Sequence, residues 1–238
     1  MEKFSTRSEY KEQLDKLWND AISNGIPMAD RGYSVQDEIN FGSLLFVGLN
    51  PAYKNDTHVI ENEVGVIYNN EAVVKLPYFT KFPALASAAN LNWHHIDLFF
   101  VRETNQNIFK SLFFNNDQRV KPFLIEQLSI SKEIKVRSKP KIIVVVNAFA
   151  GEMFGPPKNT EPQKNTKSPT NNIFGNRIPL FTLEFDNVIG TYRIKAPHSL
   201  ENTPVFLSGM LTGQRALDNG SLKRLEWHIR FVLEKMNS

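Results

Sequence analysis

The chain predicts an α/β protein, a three-layer α/β/α arrangement around a mainly parallel central sheet of about four strands. Three observations carry this. Residues 44–47, 94–102, 141–146 and 204–208 are short apolar runs rich in β-branched and large side chains, the composition of strands covered on both faces. Each run breaks at once into a polar turn. Helical patterns separate most of the runs, an alternation that lays successive strands parallel with helices on either side. With 238 residues and no internal repeat, we expect one domain spanning 1–238 with a sizeable core.

Taken in order, residues 5–25 read as a helix capped by Ser5 or Thr6, with Leu14, Leu17, Trp18, Ala21 and Ile22 on one face and Asn24-Gly25 as its stop. Residues 25–42 read as a polar connection. The first strand, Leu44-Leu45-Phe46-Val47, ends in Gly48-Leu49-Asn50-Pro51-Ala52-Tyr53. An irregular region follows, containing Pro77-Tyr78-Phe79-Thr80-Lys81-Phe82-Pro83. Aromatics beside prolines can build a stacking wall or simply pack a loop. A short helix over 83–90 leads to the second run, with Asp97 near its start and Arg102 at its end. His94 and His95 are adjacent on that run and so point to opposite faces, which makes them poor partners in one metal site and suits a strand entry.

A helix over 120–135 buries Phe123, Leu124, Leu128 and Ile134 and feeds a basic run that suits its C-terminal dipole. Lys141 to Val146 is the clearest strand, ending in Asn147 and a helix start. Residues 155–172 are rich in Pro, Lys, Asn and Thr and read as a mobile loop. Residues 180–194 read as a hairpin. The last strand breaks into Gly209-Met210-Leu211-Thr212-Gly213-Gln214-Arg215, and the closing helix runs from Ser221, its expected N-cap, to about Met236.

Composition narrows the function classes. The chain has no cysteine, which excludes disulfides, thiolate zinc sites, iron–sulfur clusters and a cysteine nucleophile. A net charge of +3 is compatible with an anionic partner without requiring one. No apolar run approaches the length of a membrane span, and the N-terminal residues lack the apolar core of a leader. The expectation is a cytoplasmic monomer with no membrane partner, no metal and no cofactor.

Parallel strands bring their carboxyl ends to one edge, so Asn50, Arg102, Asn147 and the 208–215 loop are expected to converge on a single crevice. With Gly48-Leu49-Asn50-Pro51 at one end of the chain and the strand–loop–helix of 204–236 at the other, the sequence resembles the uracil-DNA glycosylase superfamily, in particular its branches with Gly-x-Asn-Pro in the first motif. The order of elements agrees from about Leu44 to Glu234, and similarity of sequence is confined to the two motifs.

The resemblance implies a uracil-DNA glycosylase-like fold and a metal-independent enzyme acting on damaged or single-stranded DNA. Such an enzyme flips a base out and hydrolyses its N-glycosidic bond through an oxocarbenium-like transition state. By resemblance Asn50 positions the attacking water. An amide orients water but cannot take its proton, so the reaction should be slower than with Asp. Gly48, Leu49, Pro51, Ala52 and Tyr53 would line the base pocket with Asn147. Phe79 and Phe82 would stack on the base, and Asp97 or Arg102 would read it. Met210 and Leu211 would fill the vacated stack. Ser208, Gly209, Thr212, Gly213 and Gln214 would complete the DNA-contacting loop, and Arg215, Lys223 and Arg224 would touch phosphates.

The second motif departs from the family. It has no His-Pro-Ser; Leu207 stands where the histidine would fall if Arg215 is aligned with the family's arginine. His198-Ser199 is the local substitute, at the cost of a gap before Met210, and it is the second catalytic candidate. Two other classes stay open: a non-catalytic relative that binds nucleic acid or a nucleobase in the same crevice, and a nucleotide-binding α/β enzyme. The turns contain neither a Gly-x-Gly-x-x-Gly nor a Lys-bearing phosphate loop, which counts against the last.

Overall fold

The computed structural model describes residues 2–53, 63–114, 117–155, 180–195 and 198–237. The 155–172 stretch read as a mobile loop lies outside them apart from Gly155. In chain order the elements are β1 (Lys3–Phe4), α1 (Thr6–Ser23), β2 (Tyr33–Gln36), β3 (Ile39–Asn40), β4 (Leu44–Val47), β5 (Gly65–Tyr68), α2 (Asn70–Val73), α3 (Phe82–Ala88) and β6 (Trp93–His95). They continue with α4 (Gln106–Ser111), α5 (Val120–Ser138), β7 (Ile142–Val145), α6 (Ala148–Phe154), β8 (Leu183–Asp186), β9 (Thr191–Ile194), β10 (Pro204–Leu207) and α7 (Asn219–Asn237).

The protein is α/β. Its main sheet has six strands in the order β6-β4-β7-β10-β9-β8. The four apolar runs supply β6, β4, β7 and β10, which are all parallel. The predicted hairpin joins them as β9 and β8, antiparallel, and makes the sheet mixed rather than four-stranded.

Alternation along the parallel strands sends side chains to two separate cores. Leu45, Val47, Ile143, Val145 and Val205 pack with Leu14 and Trp18 of α1, Phe123 and Ile134 of α5, and Ala150 and Phe154 of α6. Leu44, Phe46, Ile142, Val144 and Phe206 pack with Phe82 and Leu85 of α3 and with Ile229, Val232 and Leu233 of α7. Helices therefore cover both faces. Among the described residues no helix is long and apolar enough to cross a membrane.

Local chemistry sets most boundaries. The Ser5 hydroxyl accepts the Ser8 N–H and starts α1. At α7 the cap is Asp218 rather than Ser221: its Oδ1 accepts the Ser221 N–H at 2.9 Å, so the helix begins two residues before that serine. The supposed connection over 25–42 contains β2, whose Tyr33 and Val35 are buried and which pairs with β5 in a small parallel sheet. The second apolar run forms ladder only as far as His95. Farther along, the N–H groups of Phe100 and Val101 donate to the Gln127 side chain of α5, at 3.0 and 3.1 Å, while the Phe100 carbonyl accepts the Ser34 N–H of β2 at 3.0 Å.

Candidate functional site

At the carboxyl edge of the parallel strands lies a cavity of about 480 Å³. The turn after β4 supplies Leu49, Asn50, Pro51 and Ala52. The end of the second run supplies Arg102, Glu103 and Thr104, the end of β7 supplies Asn147, and the loop after β10 supplies Met210. Tyr68 of β5 and the short turn Pro77–Phe79 close it with an aromatic wall.

The floor of this cavity is a polar cluster built around Gly48. His95 Nε2 lies 3.3 Å from Asp97 Oδ1 and 3.4 Å from the Tyr78 hydroxyl, while His95 Nδ1 lies 3.4 Å from the Tyr68 hydroxyl. His95 and Asp97 are both buried. A Cβ on residue 48 would sit 2.2 Å from Asp97 Oδ1, 2.9 Å from His95 Nε2 and 3.0 Å from the Tyr78 hydroxyl, so only glycine leaves these groups room to meet. Burial, reinforced by the Asp97 carboxylate, pushes both phenols well above their ordinary range and keeps them protonated. The cluster is held from behind. The His95 N–H donates to Gln36 Oε1 at 2.7 Å, and the Asp97 carbonyl accepts from Ser131 Oγ at 2.7 Å and from Lys135 Nζ at 2.8 Å.

Asn50 is fixed by its amide nitrogen. Nδ2 donates to the carbonyls of Glu103 at 2.8 Å, Pro51 at 3.1 Å and Val101 at 3.4 Å. Oδ1 is buried and has no partner among the described residues. That orientation is unambiguous, because three carbonyls can face only the donor end of the amide. The acceptor end is therefore buried without a partner, beside the cavity that Asn50 lines. The same turn is stitched to the second run by Glu103 N–H to Pro51 O at 2.9 Å and Tyr53 N–H to Thr104 Oγ1 at 3.0 Å.

Several expected site residues serve other ends. Tyr53 is not in the cavity wall; its ring packs against the guanidinium groups of Arg31 and Arg102, each 5.2 Å from the ring centroid. Arg102 lines the cavity, donates to the Arg31 carbonyl at 3.4 Å and has its pKa lowered by burial. Arg31 in turn forms an ion pair with Glu103. Asn147 lines the cavity, but its Oδ1 accepts from Phe149 N–H at 2.9 Å and Ala150 N–H at 3.1 Å, which makes it the N-cap of α6. Phe79 does reach the cavity. Phe82 does not: it is fully buried, stacked on Phe46 with ring centroids 4.2 Å apart, because the start of α3 turns it into the core.

The loop after β10 is divided in the same way. Met210 lines the cavity, and Thr212 Oγ1 donates to the Tyr78 carbonyl at 3.1 Å, docking the loop on the aromatic wall. Leu211 is buried in the α3–α7 core and is unavailable as a wedge. Ser208 and Gly209 are half-buried; Gly213, Gln214, Arg215, Lys223 and Arg224 are exposed.

His198 is the clearest departure. It lies between β9 and β10, and because β10 runs parallel to β7 this turn is at the amino edge of the sheet, opposite the cavity. Its ring packs edge-on against Phe181, Nδ1 accepts the Leu200 N–H at 3.1 Å, and Ser199 beside it donates to the Val136 carbonyl at the end of α5.

The pair that the sequence reading passed over is His95 and Asp97 acting together. The i, i+2 spacing on a strand-like run was the available signal, since it puts both side chains on one face. Among the described residues no group of three or more His, Asp or Glu is placed to hold a metal ion. Comparison of the chain with protein-family models, with curated proteins and with solved structures gives no match.

Proposed function

We propose that this protein is a DNA glycosylase-like hydrolase that accepts an extrahelical uracil or other damaged base and hydrolyses its N-glycosidic bond. The observation that carries the reading is Asn50. Its amide nitrogen is tied to three backbone carbonyls, and its buried Oδ1 is left as an acceptor without a partner beside an aromatic cavity, within a Gly-x-Asn-Pro turn. An acceptor held in this way can orient a water towards the sugar carbon while Phe79 and Tyr78 flank a planar base. Exposed Arg215, Lys223 and Arg224 follow the loop on which Met210 sits, where a DNA backbone would pass. The proposed partner is damaged or single-stranded DNA, bound by a cytoplasmic monomer.

The test is base release from single- and double-stranded DNA carrying uracil, hypoxanthine or mismatched thymine, in the native protein and in Asn50→Ala. Release that depends on Asn50 is expected. Absence of release from every substrate would overturn the enzymatic reading.

One observation favours a second reading, a binder without turnover: no histidine from the 198–215 region reaches the cavity. Under that reading the protein binds DNA more tightly as salt is lowered and leaves no abasic product.

A further inference from the structure

The outward face of α7 carries an aromatic pair that its packing does not use. Ile229, Val232 and Leu233 form the buried stripe of this helix, and Trp227 lies on the opposite side, 59% exposed. Tryptophan brings a large apolar body that usually finds cover. Here the indole is stacked on Phe231, with ring centroids 5.5 Å apart and planes 13° from parallel, and more than half of the residue is left to solvent. The i, i+4 spacing that joins the two rings continues in both directions. Lys223 stands one step before Trp227, and Lys235 one step after Phe231, with its Nζ 5.8 Å from the Phe231 ring centroid. A file of cation, indole, phenyl and cation therefore runs along the helix, about 18 Å long at the rise of an α-helix.

Charge selects the occupant of this face. Its exposed charged residues are Lys223, Arg224, Arg230, Glu234 and Lys235, four cations against one carboxylate, and the other acid of α7, Glu226, is half-buried. Arg224 donates one of its five N–H groups to Ser221 Oγ at 2.8 Å. A second copy of the chain would bring the same positive charge to the contact, and one exposed indole among cations is too little apolar surface to embed in a membrane. Unpaired bases offer flat π-faces between phosphates, the pattern of this file, whereas a duplex hides those faces in its stack. The helix also starts beside the cavity: Leu217 N–H donates to the Met210 carbonyl at 2.8 Å just before α7 begins. Trp227 follows about 12 Å along the axis from Asn219.

We propose that the exposed face of α7 is a binding surface for single-stranded DNA, in which an unpaired base stacks on Trp227 while Lys223, Arg230 and Lys235 contact the flanking phosphates. Phe231 holds the indole in place, which spares part of the ordering cost of binding. The surface carries the DNA path of the glycosylase reading beyond the cavity, and it neither recognises nor requires a damaged base.

The probe is an undamaged, fluorescein-labelled thymidine strand of about 20 nucleotides, longer than the site such a platform covers, titrated with the full chain and followed by anisotropy. Trp227→Ala should weaken binding at least about fivefold, the lower end of what one base–aromatic stack is worth, and Trp227→Phe, which keeps a ring, should bind more tightly than Trp227→Ala. A smaller loss in Trp227→Ala, or an equal loss in both variants, overturns the proposal. Arg230→Gln should lower the slope of log affinity against log salt by about 0.7, one phosphate contact on a single strand, and an unchanged slope overturns that contact. Trp227 belongs to neither core, so urea unfolding of its variants should match the native protein. The native protein gives an answer without any variant: Trp18 and Trp93 are buried, so a bound strand should quench the emission of the exposed indole, and unchanged emission at saturation overturns the proposal. Trp227-dependent dimerisation in sedimentation, or Trp227-dependent attachment to phosphatidylserine vesicles without DNA binding, overturns it as well. Base release without Trp227-dependent affinity fails this proposal alone, and Trp227-dependent affinity without base release fails the glycosylase reading alone.

Discussion

Asp97 occupies the space that a side chain on Gly48 would need, its Oδ1 lying 2.2 Å from where a Cβ would be built. Sequence reading assigns that glycine to the turn, and its conformation would tolerate other residues. The carboxylate opposite it would not. Gly48→Ala should therefore push Asp97 away from His95, costing about 1–3 kcal/mol as an overpacked core does. Base release should fall with it, since Asp97 and His95 line the same cavity. Urea unfolding and single-turnover release measure the two effects separately.

Asn50→Asp gives a result opposite to what the motif suggests. An aspartate is the stronger base, but here it would present an oxygen to the carbonyls of Pro51, Val101 and Glu103, which now accept from Nδ2. The expected outcome at neutral pH is a loss of stability of about 1–3 kcal/mol, the cost of buried acceptors left without a donor. Because the new carboxyl would be repelled by these carbonyls, its folded pKa should be raised, and the loss should shrink as pH falls and a proton restores a donor. Unfolding midpoints at pH 7 and pH 5 check this, with Asn50→Ala expected to lack the pH dependence.

Lys135 links stability to pH. It is fully buried against Ser131 and the Asp97 carbonyl, and burial lowers its pKa from 10.5 to about 7. Between these values the unfolded chain holds a proton that the folded protein does not, so stability rises with pH across that window, by at most about 1.4 kcal/mol per pH unit. Above about pH 10 the buried phenols act with the opposite sign, because their raised pKa values keep protons that the unfolded chain has lost. Lys135→Met should flatten the rise between pH 7 and pH 10, measured by urea unfolding at fixed ionic strength.

Phe79 and Phe82 share one core, with ring centroids 5.4 Å apart, but only Phe79 also lines the cavity. Phe79→Ala removes a ring from the cavity wall and should weaken capture of a base by about 1–3 kcal/mol, the worth of one aromatic stacking contact. Phe82→Ala empties a core site against Phe46 and should cost about 3–5 kcal/mol of stability. A binding titration and an unfolding curve on each variant distinguish the two.

Which parts of this molecule can be read from its sequence follows from how local their causes are. The parallel strands and α1, α5 and α7 are set by short-range apolar patterns, and those patterns are visible. The meeting of Asn50, Arg102, Asn147 and Met210 at one cavity follows from strand direction alone. Strands β2 and β3 are short and carry polar Ser34, Gln36 and Asn40, so periodicity does not reveal them. Phe79 and Phe82 look alike in sequence, and only the direction in which α3 begins lets Phe79 reach the cavity wall from the core that both share. The place of His198 depends on which end of β10 enters the sheet first. The His95–Asp97 pair needs an absent side chain at Gly48, a requirement that no window of sequence displays.

Thr212 reaches back to the Tyr78 carbonyl across 134 positions of chain, and the cavity draws on residues from Ser34 to Met210. A pocket assembled from such distant pieces forms late. While the polypeptide is being synthesised, the aromatic wall emerges long before the loop that docks on it. A nascent chain halted before Met210 would have most of its core and no complete cavity, so binding competence should arrive in one step near the end of translation.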